Sequence, residues 1–371
     1  MATFKEIGVS DQIIKALLEL NIEVPSDIQQ QVLPVLLKNK IDIIAQAQTG
    51  TGKTAAFAIP ILEQIDISKP YIQTLILSPT RELGQQIGKQ IFKMSKYSGK
   101  VFSEVVFGGE HIGKQMERLQ RPTHILVATP GRLIDLLQRK AVNLKNITTL
   151  VLDEADEMLN RGFRKEVDEI LLHTEGQRNT WLFSATMPSG VLDLVKLYMS
   201  KDALHIKSEK KKVINPNIEH QYIMCEIEEK VTLLTQFIKD QGAARGVVFC
   251  KTKAGASKLV SQLVAKNISA DAIHGDLLQK ERDKVMRAFK NKKVKVLIAT
   301  DVAARGIDIE DLAYVIHYQL PEQLENYTHR SGRTARAGKK GLSVSFLLHN
   351  EIKKIRELEA DLGITFFKIK R

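Results

Sequence analysis

The chain has 371 residues, 43% hydrophobic and 26% charged, with a formal net charge of +12. That length suits two domains with separate cores, on a soft prior of about 150 residues each, and the composition excludes a disordered chain. No apolar run approaches the ~20 residues of a membrane helix, no signal-peptide pattern opens the chain, and Cys225 and Cys250 are too few for a disulfide framework or a four-ligand zinc site.

So few cysteines suit a reducing compartment, cytoplasmic or nuclear, and a cytoplasmic location is the expectation. The charge is unevenly shared: residues 1–205 hold 24 basic and 23 acidic residues, residues 206–371 hold 31 and 20. A basic half beside a neutral one suits a polyanionic partner, although solvated lysine faces give the same count.

The first strong signal in chain order is Ala47-Gln48-Thr49-Gly50-Thr51-Gly52-Lys53-Thr54, between the apolar run Ile41 to Ala45 and a helix-compatible run Ala55 to Leu62. Strand, glycine-rich turn and Lys-Thr opening a helix form the context of a phosphate-binding loop. Its backbone N–H groups curl round an anion at the positive end of the helix. Lys53 is expected to reach the terminal phosphates of a nucleoside triphosphate and the Thr54 hydroxyl to ligate Mg2+.

Further strand-like runs follow at Gln73–Leu77, Val105–Phe107, His124–Ala128, Thr148–Leu152 and Thr180–Phe183, with helical segments between most of them. That alternation implies a parallel sheet covered on both faces. Asp153-Glu154-Ala155-Asp156 follows the fourth of these runs, and the carboxyl end of a buried parallel strand is where such sheets bind ligands. Asp153 is expected to hold Mg2+ and Glu154 to orient or deprotonate the attacking water. Acids in a first helical turn also answer the helix dipole. Ser184 and Thr186 emerge at the same edge, able to hydrogen-bond Asp156 or simply to serve as turn and cap residues.

From about Ala203 to Lys212 the rhythm stops in a charged, core-less stretch, read as a linker over 206–218 between lobes at 1–205 and 219–371. Strand–helix alternation resumes with Gln221–Cys225, Gly246–Cys250, Val294–Ala299, Ala313–His317 and Leu342–Leu347. The second lobe's informative stretch is His329 to Gly338. Arg330, Arg333 and Arg336, at three-residue spacing, look like arginine fingers for a transferring phosphoryl group, or like a basic loop touching phosphates.

The ordered set Gln48 to Thr54, Pro79-Thr80-Arg81-Glu82-Leu83, Thr129-Pro130-Gly131-Arg132, Asp153 to Asp156, Ser184-Ala185-Thr186, Ala299 to Asp308 and His329 to Arg336 resembles the DEAD-box ATP-dependent RNA helicases, from about Phe4 to about Leu347. The resemblance implies two RecA-like α/β domains, ATP with Mg2+ in the cleft between them, and single-stranded RNA or a short duplex across both, bound without reading bases by a monomeric core. It implies an adenine-reading Gln29 supported by Phe4, with Asn21 and Ile22 where the family usually has glycine and an aromatic. Ile22 offers adenine a thinner contact. RNA contacts carry over to Pro79, Thr80, Arg81, Gly108, Gly109, Thr129, Pro130, Gly131, Arg132, Thr300 and Asp301, with Gly84 a mild replacement for alanine. Asp308 matches a ribose contact, Arg333 and Arg336 the γ-phosphate arginines, and His329, Asp156, Ser184 and Thr186 the residues that couple the lobes. Gln279 with Arg282 and Phe249 match further second-lobe motifs. Ser331 and Ala335 replace the family's isoleucine and glycine, and Ala335 requires a backbone with φ < 0 to escape strain.

The expected activity is RNA-stimulated ATP hydrolysis that separates short duplexes locally. Alternatives are an ATP-gated RNA clamp or ribonucleoprotein-remodelling factor with little unwinding of its own, or a DNA-translocating helicase of the same superfamily, which Pro25 to Gln29 and Asp-Glu-Ala-Asp argue against. Nothing in the chain names the RNA. The core-like region gives way at Arg371, so any tail beyond it is the expected seat of substrate choice.

Overall fold

A computed structural model of the chain describes residues 2–48, 50–174, 176, 178–208, 215–301, 312–322, 324–335 and 339–369. Thr49, Asp308 and Arg336 lie outside the described residues. The chain divides into two compact units, Met1–Glu209 and Lys210–Arg371.

The first unit is built on a seven-stranded sheet. Its strands are β1 (Ile43–Gln46), β2 (Thr74–Leu77), β3 (Ser103–Val106), β4 (Ile125–Ala128), β5 (Thr149–Asp153), β6 (Asn179–Ser184) and β7 (Leu204–Lys207). The order is β3-β4-β2-β5-β6-β1-β7 and every pairing is parallel. Consecutive strand residues feed opposite layers: Ile43, Ala45, Ile76, Val127 and Trp181 enter one core, Ile44, Leu75, Leu77, Leu126 and Leu182 the other. A central parallel strand must be apolar on both faces, which is why these read as unbroken apolar runs. β7 corrects the sequence reading, which begins the linker there. It sits at the sheet edge and buries only Ile206, so its composition looks polar.

The second unit repeats the plan with β8 (Ile218–Met224), β9 (Gly246–Phe249), β10 (Ala270–Ile273), β11 (Val296–Ala299), β12 (Tyr314–His317), β13 (Gly341–Leu347) and β14 (Phe366–Lys368). The order is β10-β11-β9-β12-β13-β8-β14, again all parallel. Val248, Ile298 and Ile316 face one core, Val247, Leu297 and Val315 the other. Gly246 is required here, because a Cβ on it would lie 1.9 Å from the Tyr314 ring on the neighbouring strand. Both cysteines are free and buried, and burial pushes the Cys250 thiol up to about 12. Among the described residues no helix is long and apolar enough to cross a membrane.

Candidate nucleotide and RNA sites

The glycine-rich loop runs from the end of β1 to the helix Lys53–Gln64. Gly50 and Gly52 hold φ of 84° and 93°, the left-handed turns that point successive N–H groups inward. Ala47 N–H donates to Ser184 O at 3.0 Å, seating the loop against β6. The Lys53 ammonium is buried and donates back to Ala47 O at 2.9 Å, while the Thr51 hydroxyl closes on Gln48 O at 2.7 Å. Lys53 thus spans the loop from inside, where a phosphate could take over its hydrogen bond.

Gln29 is fixed at both ends of its amide. Its Nε2 donates to Gly52 O at 3.0 Å, and its Oε1 accepts from Ser26 N–H at 2.9 Å. A Cβ on Gly52 would stand 2.5 Å from Gln29 Nε2, so loop and glutamine fit only with glycine there. Phe4 lies in the apolar core with 3% of its surface exposed, on a short helix packed against the helix Asp27–Leu36 that carries Gln29. Ile22 packs at the margin of that core.

At the carboxyl end of β5, Asp153 is buried and its Oδ1 accepts from Glu154 N–H at 3.0 Å. Burial pushes its carboxyl up to about 7, against the pull of the Lys53 ammonium and helped by Glu154 and Asp156. A cation beside it would reverse that shift. Carboxylate and hydroxyl donors suit Mg2+, which takes few protein ligands alongside phosphate and water oxygens, so Asp153 and Thr54 fit the metal the family implies. Glu154 occupies the left-handed region at φ 50°, ψ 52°, a strained conformation for a side-chain-bearing residue.

Asp156, Ser184 and Thr186 form one closed unit. Asp156 Oδ2 accepts from Thr186 N–H at 2.9 Å and from its hydroxyl at 2.8 Å. Ser184 Oγ accepts from Asp156 N–H at 3.3 Å and donates to Thr186 O at 2.7 Å. Of the two hydroxyls only that of Thr186 reaches the carboxylate, whose other oxygen accepts from Glu157 N–H at 3.1 Å; Ser184 braces the backbone on either side.

The residues expected to meet RNA in the first unit gather where β2, β3 and β4 end. Thr80 caps the helix Arg81–Met94 through Leu83 N–H at 3.1 Å, and the Arg81 guanidinium lies 4.4 Å from the Phe107 ring centroid. Pro130 opens the helix Pro130–Gln138 behind Thr129 and beside Gly131. Gly109 has φ 88°, and nothing lies within 4 Å of a Cβ placed on Gly108, so the backbone there is open. Gly84 is tighter than its expected mild role suggests, since a Cβ there would lie 3.0 Å from Ser78 Oγ.

Three residues hold this edge that motif reading misses: Gln115, Glu110 and Arg118. Gln115, fully buried, grips Phe107 through N–H at 3.3 Å and O at 2.9 Å, and also reaches Glu110 Oε2 at 2.9 Å. Arg118 makes a two-pronged bond to the Glu110 carboxylate at 3.1 and 2.9 Å, holding that carboxyl below its usual range. Arg132 forks onto Glu110 O at 3.0 Å through each terminal nitrogen. A glutamine in the core-facing position of an amphipathic helix was the available signal.

In the second unit Thr300 and Asp301 follow β11, and His329 closes the helix Leu324–Ser331 with Arg333 just beyond. Arg330 does not belong with the finger arginines, a correction to the three-arginine reading. It has 3% exposure, binds both Asp301 oxygens at 2.5 and 2.7 Å and Gln319 O at 2.9 Å, and stacks on Phe249. The Asp301 carboxylate is therefore committed to Arg330. Ala335 is a second correction: its φ is 57°, in the left-handed region rather than below zero. Asn21, the other replacement of a family glycine, has φ 56°, so both positions keep the glycine-like turn with a side chain in place.

Behind the arginines lies a buried polar cluster. His317 Nε2 lies 3.2 Å from both Ser331 Oγ and Ser343 Oγ, which are 2.9 Å apart, and Tyr327 Oη bridges Ser343 at 3.2 Å to His220 Nδ1 at 2.7 Å. Burial lowers His220 to about 4 and His317 well below the usual imidazole value, so both are neutral.

The two sheets with helices on both faces and ligand loops at their carboxyl edges define a pair of RecA-like domains. Residues 26–194 match the family model for DEAD/DEAH box helicases and residues 229–338 that for the helicase conserved C-terminal domain. A DEAD-box ATP-dependent RNA helicase, CshA of Bacillus cereus, is 40% identical over 359 residues, covering 97% of this chain and 68% of that one. A crystal structure of a DEAD box protein from the hyperthermophile Methanococcus jannaschii is 43% identical, covers 99% of both chains and superposes with a TM-score of 0.58. Dbp5 of S. cerevisiae bound to RNA and ADP BeF3 is 31% identical, covering 100% of this chain and 96% of that one with a TM-score of 0.88. The chain belongs to the DEAD-box ATP-dependent RNA helicases.

Proposed function

We propose that this helicase hydrolyses ATP when RNA is bound, through closure of its two units, and separates short duplexes locally without translocating. One observation carries the reading: the phosphate loop lies in the first compact unit and Arg333 in the second, so each unit holds part of a hydrolytic site. ATP would engage Gln29 through adenine, Gln48, Gly50, Thr51, Gly52 and Lys53 through the phosphates, and Thr54 and Asp153 through Mg2+. When bound, Mg2+ would supply charge neutralisation on the phosphates. Glu154 takes the proton of the attacking water, and Arg333 steadies the charge that develops on the transferred phosphoryl group. By family position Arg336 would share the duty of Arg333, and Asp308 would contact the ribose.

RNA would lie along the carboxyl edges, on Pro79 to Arg81, Gly108-Gly109, Thr129 to Arg132 and Thr300-Asp301, held by phosphate and ribose contacts that read no bases. Ligands that each bind both units favour the closed form together, and linkage makes their coupling reciprocal. Asp156, Thr186 and His329 would report that closure. Free, buried Cys225 and Cys250 support a cytoplasmic setting.

ATPase assays with and without RNA test the assignment in Arg333→Ala and Glu154→Gln. Both should lose RNA-stimulated turnover by at least ~100-fold, and wild-type turnover in either refutes it. In a strand-displacement assay, analogue-dependent RNA binding without duplex separation would replace unwinding by clamping.

A further inference from the structure

The second unit's positive charge is concentrated. Between Gln279 and Lys295 stand eight lysines and arginines against two acids, Glu281 and Asp283, a net +6. Most of the stretch is the helix Gln279–Lys290, which buries Val285 and Phe289 in one of the unit's cores. At 3.6 residues per turn, Lys280, Lys284 and Arg287 fall on a single stripe opposite those two residues. All three are exposed, and they form no ion pair with another described residue; nor do Lys292 and Lys293 in the turn that follows.

Helix stability does not explain this stripe. Lys280 is in the first turn, where a cation opposes the helix dipole. Lys280 with Lys284, and Lys284 with Arg287, are like-charge neighbours at four- and three-residue spacing, each costing about 0.2–0.5 kcal/mol. The dipole favours Arg287, Lys290, Lys292 and Lys293 toward the other end, but not Lys280 or Lys284. Cations stacked at a cost to their own helix call for an anion from outside, and the stripe extends over about 10 Å, more than one small anion can cover.

Topology selects the anion. The helix joins β10 to β11, so it starts at the same sheet edge at which β11 delivers Thr300 and Asp301. It then runs back from that edge for about 18 Å. A polyanion leaving the edge has this stripe as its continuation.

We propose that Lys280, Lys284 and Arg287, extended by Lys292 and Lys293, bind the phosphate backbone of RNA flanking the gripped strand, as a longer tail or an adjoining duplex. This rests on the RNA-binding reading above. The surface is electrostatic, so it adds affinity and salt dependence without sequence preference.

The test compares the full wild-type chain with a Lys284→Gln, Arg287→Gln, Lys292→Gln, Lys293→Gln variant. Fluorescence anisotropy against potassium chloride is run on a short single strand and on the same strand joined to a duplex. For the duplex-bearing RNA the slope of log affinity on log salt should become shallower by about 3–4, at ~0.9 per lost phosphate contact. Affinity for the short strand and RNA-free ATP turnover should stay within about twofold of wild type. Unchanged slope and affinity on the duplex-bearing RNA would show a solvated face or a surface for another partner, and overturn the proposal. Equal loss on both RNAs would place the stripe inside the strand-gripping surface and overturn its assignment to the flank. If wild type itself shows neither RNA binding nor RNA-stimulated turnover, the broader RNA reading has failed, which the ATPase control distinguishes.

Discussion

Replacing Ser331 by isoleucine, the residue common at this position in the family, should destabilise this protein. Ser331 is fully buried, and its hydroxyl touches His317 Nε2 at 3.2 Å and Ser343 Oγ at 2.9 Å. S331I strips both of a partner, and each buried polar group left short costs about 1–3 kcal/mol. The larger side chain must also find room in a site without exposed surface, another ~1–3 kcal/mol. Burying three more carbons returns roughly 2.4 kcal/mol. The net loss is on the order of 1–7 kcal/mol, a large part of a domain's 5–15 kcal/mol. S331A removes the hydroxyl without the bulk and should cost about 1–2 kcal/mol. Urea unfolding, with amide hydrogen exchange of β12 and β13 to isolate the second unit, measures both. An S331I protein as stable as wild type would mean that the hydroxyl cluster contributes nothing, and would refute the reasoning.

Three other outcomes are expected. Gly52→Ala should weaken ATP binding at least tenfold by calorimetry, because the left-handed backbone costs about 1–3 kcal/mol and the new Cβ meets Gln29 Nε2 at 2.5 Å. Asp301→Ala leaves Arg330 buried without its carboxylate and should lower stability by about 3–5 kcal/mol in thermal unfolding, with Asp301→Glu recovering only part of the bidentate geometry. The third concerns pH: His220 is lowered to about 4 from 6.5, so between those values the unfolded chain binds a proton that the native one refuses. Stability should therefore fall as pH drops from about 6.5 to 4, by up to about 3 kcal/mol from this residue, with His317 acting in the same direction. A His220→Gln variant with an unflattened stability profile from pH 7 to 4.5 would count against this account.

The central strands and the phosphate loop are legible in the sequence because their physics is local. A strand buried on both faces must be apolar throughout, and a loop that wraps an anion needs glycine where φ is positive. Edge strands escape that logic: β7 buries Ile206 alone, and β14 buries Phe366 while Phe367 stays exposed. Arginine spacing misled for a related reason. Arg330 is still on the helix and turns inward to Asp301, whereas Arg333 lies past its end, so equal spacing crosses a change of backbone geometry. The φ of Ala335 could not be read from its identity, because the turn it occupies is imposed by packing; a Cβ on the neighbouring Gly341 would lie 2.7 Å from its nitrogen. Gln115, Arg118 and Glu110 act through contacts across elements, which spacing along one helix does not encode.

The fork between Arg330 and Asp301 has a mechanical consequence. The guanidinium is planar and grips both carboxylate oxygens, so neither partner can swivel about a single hydrogen bond. Asp301 ends the β11 edge, and Arg330 stands three residues before Arg333. A sideways pull on that edge is transmitted to the arginine turn as the displacement of one stiff link, whereas a lysine in its place would act as a ball joint and absorb the stroke.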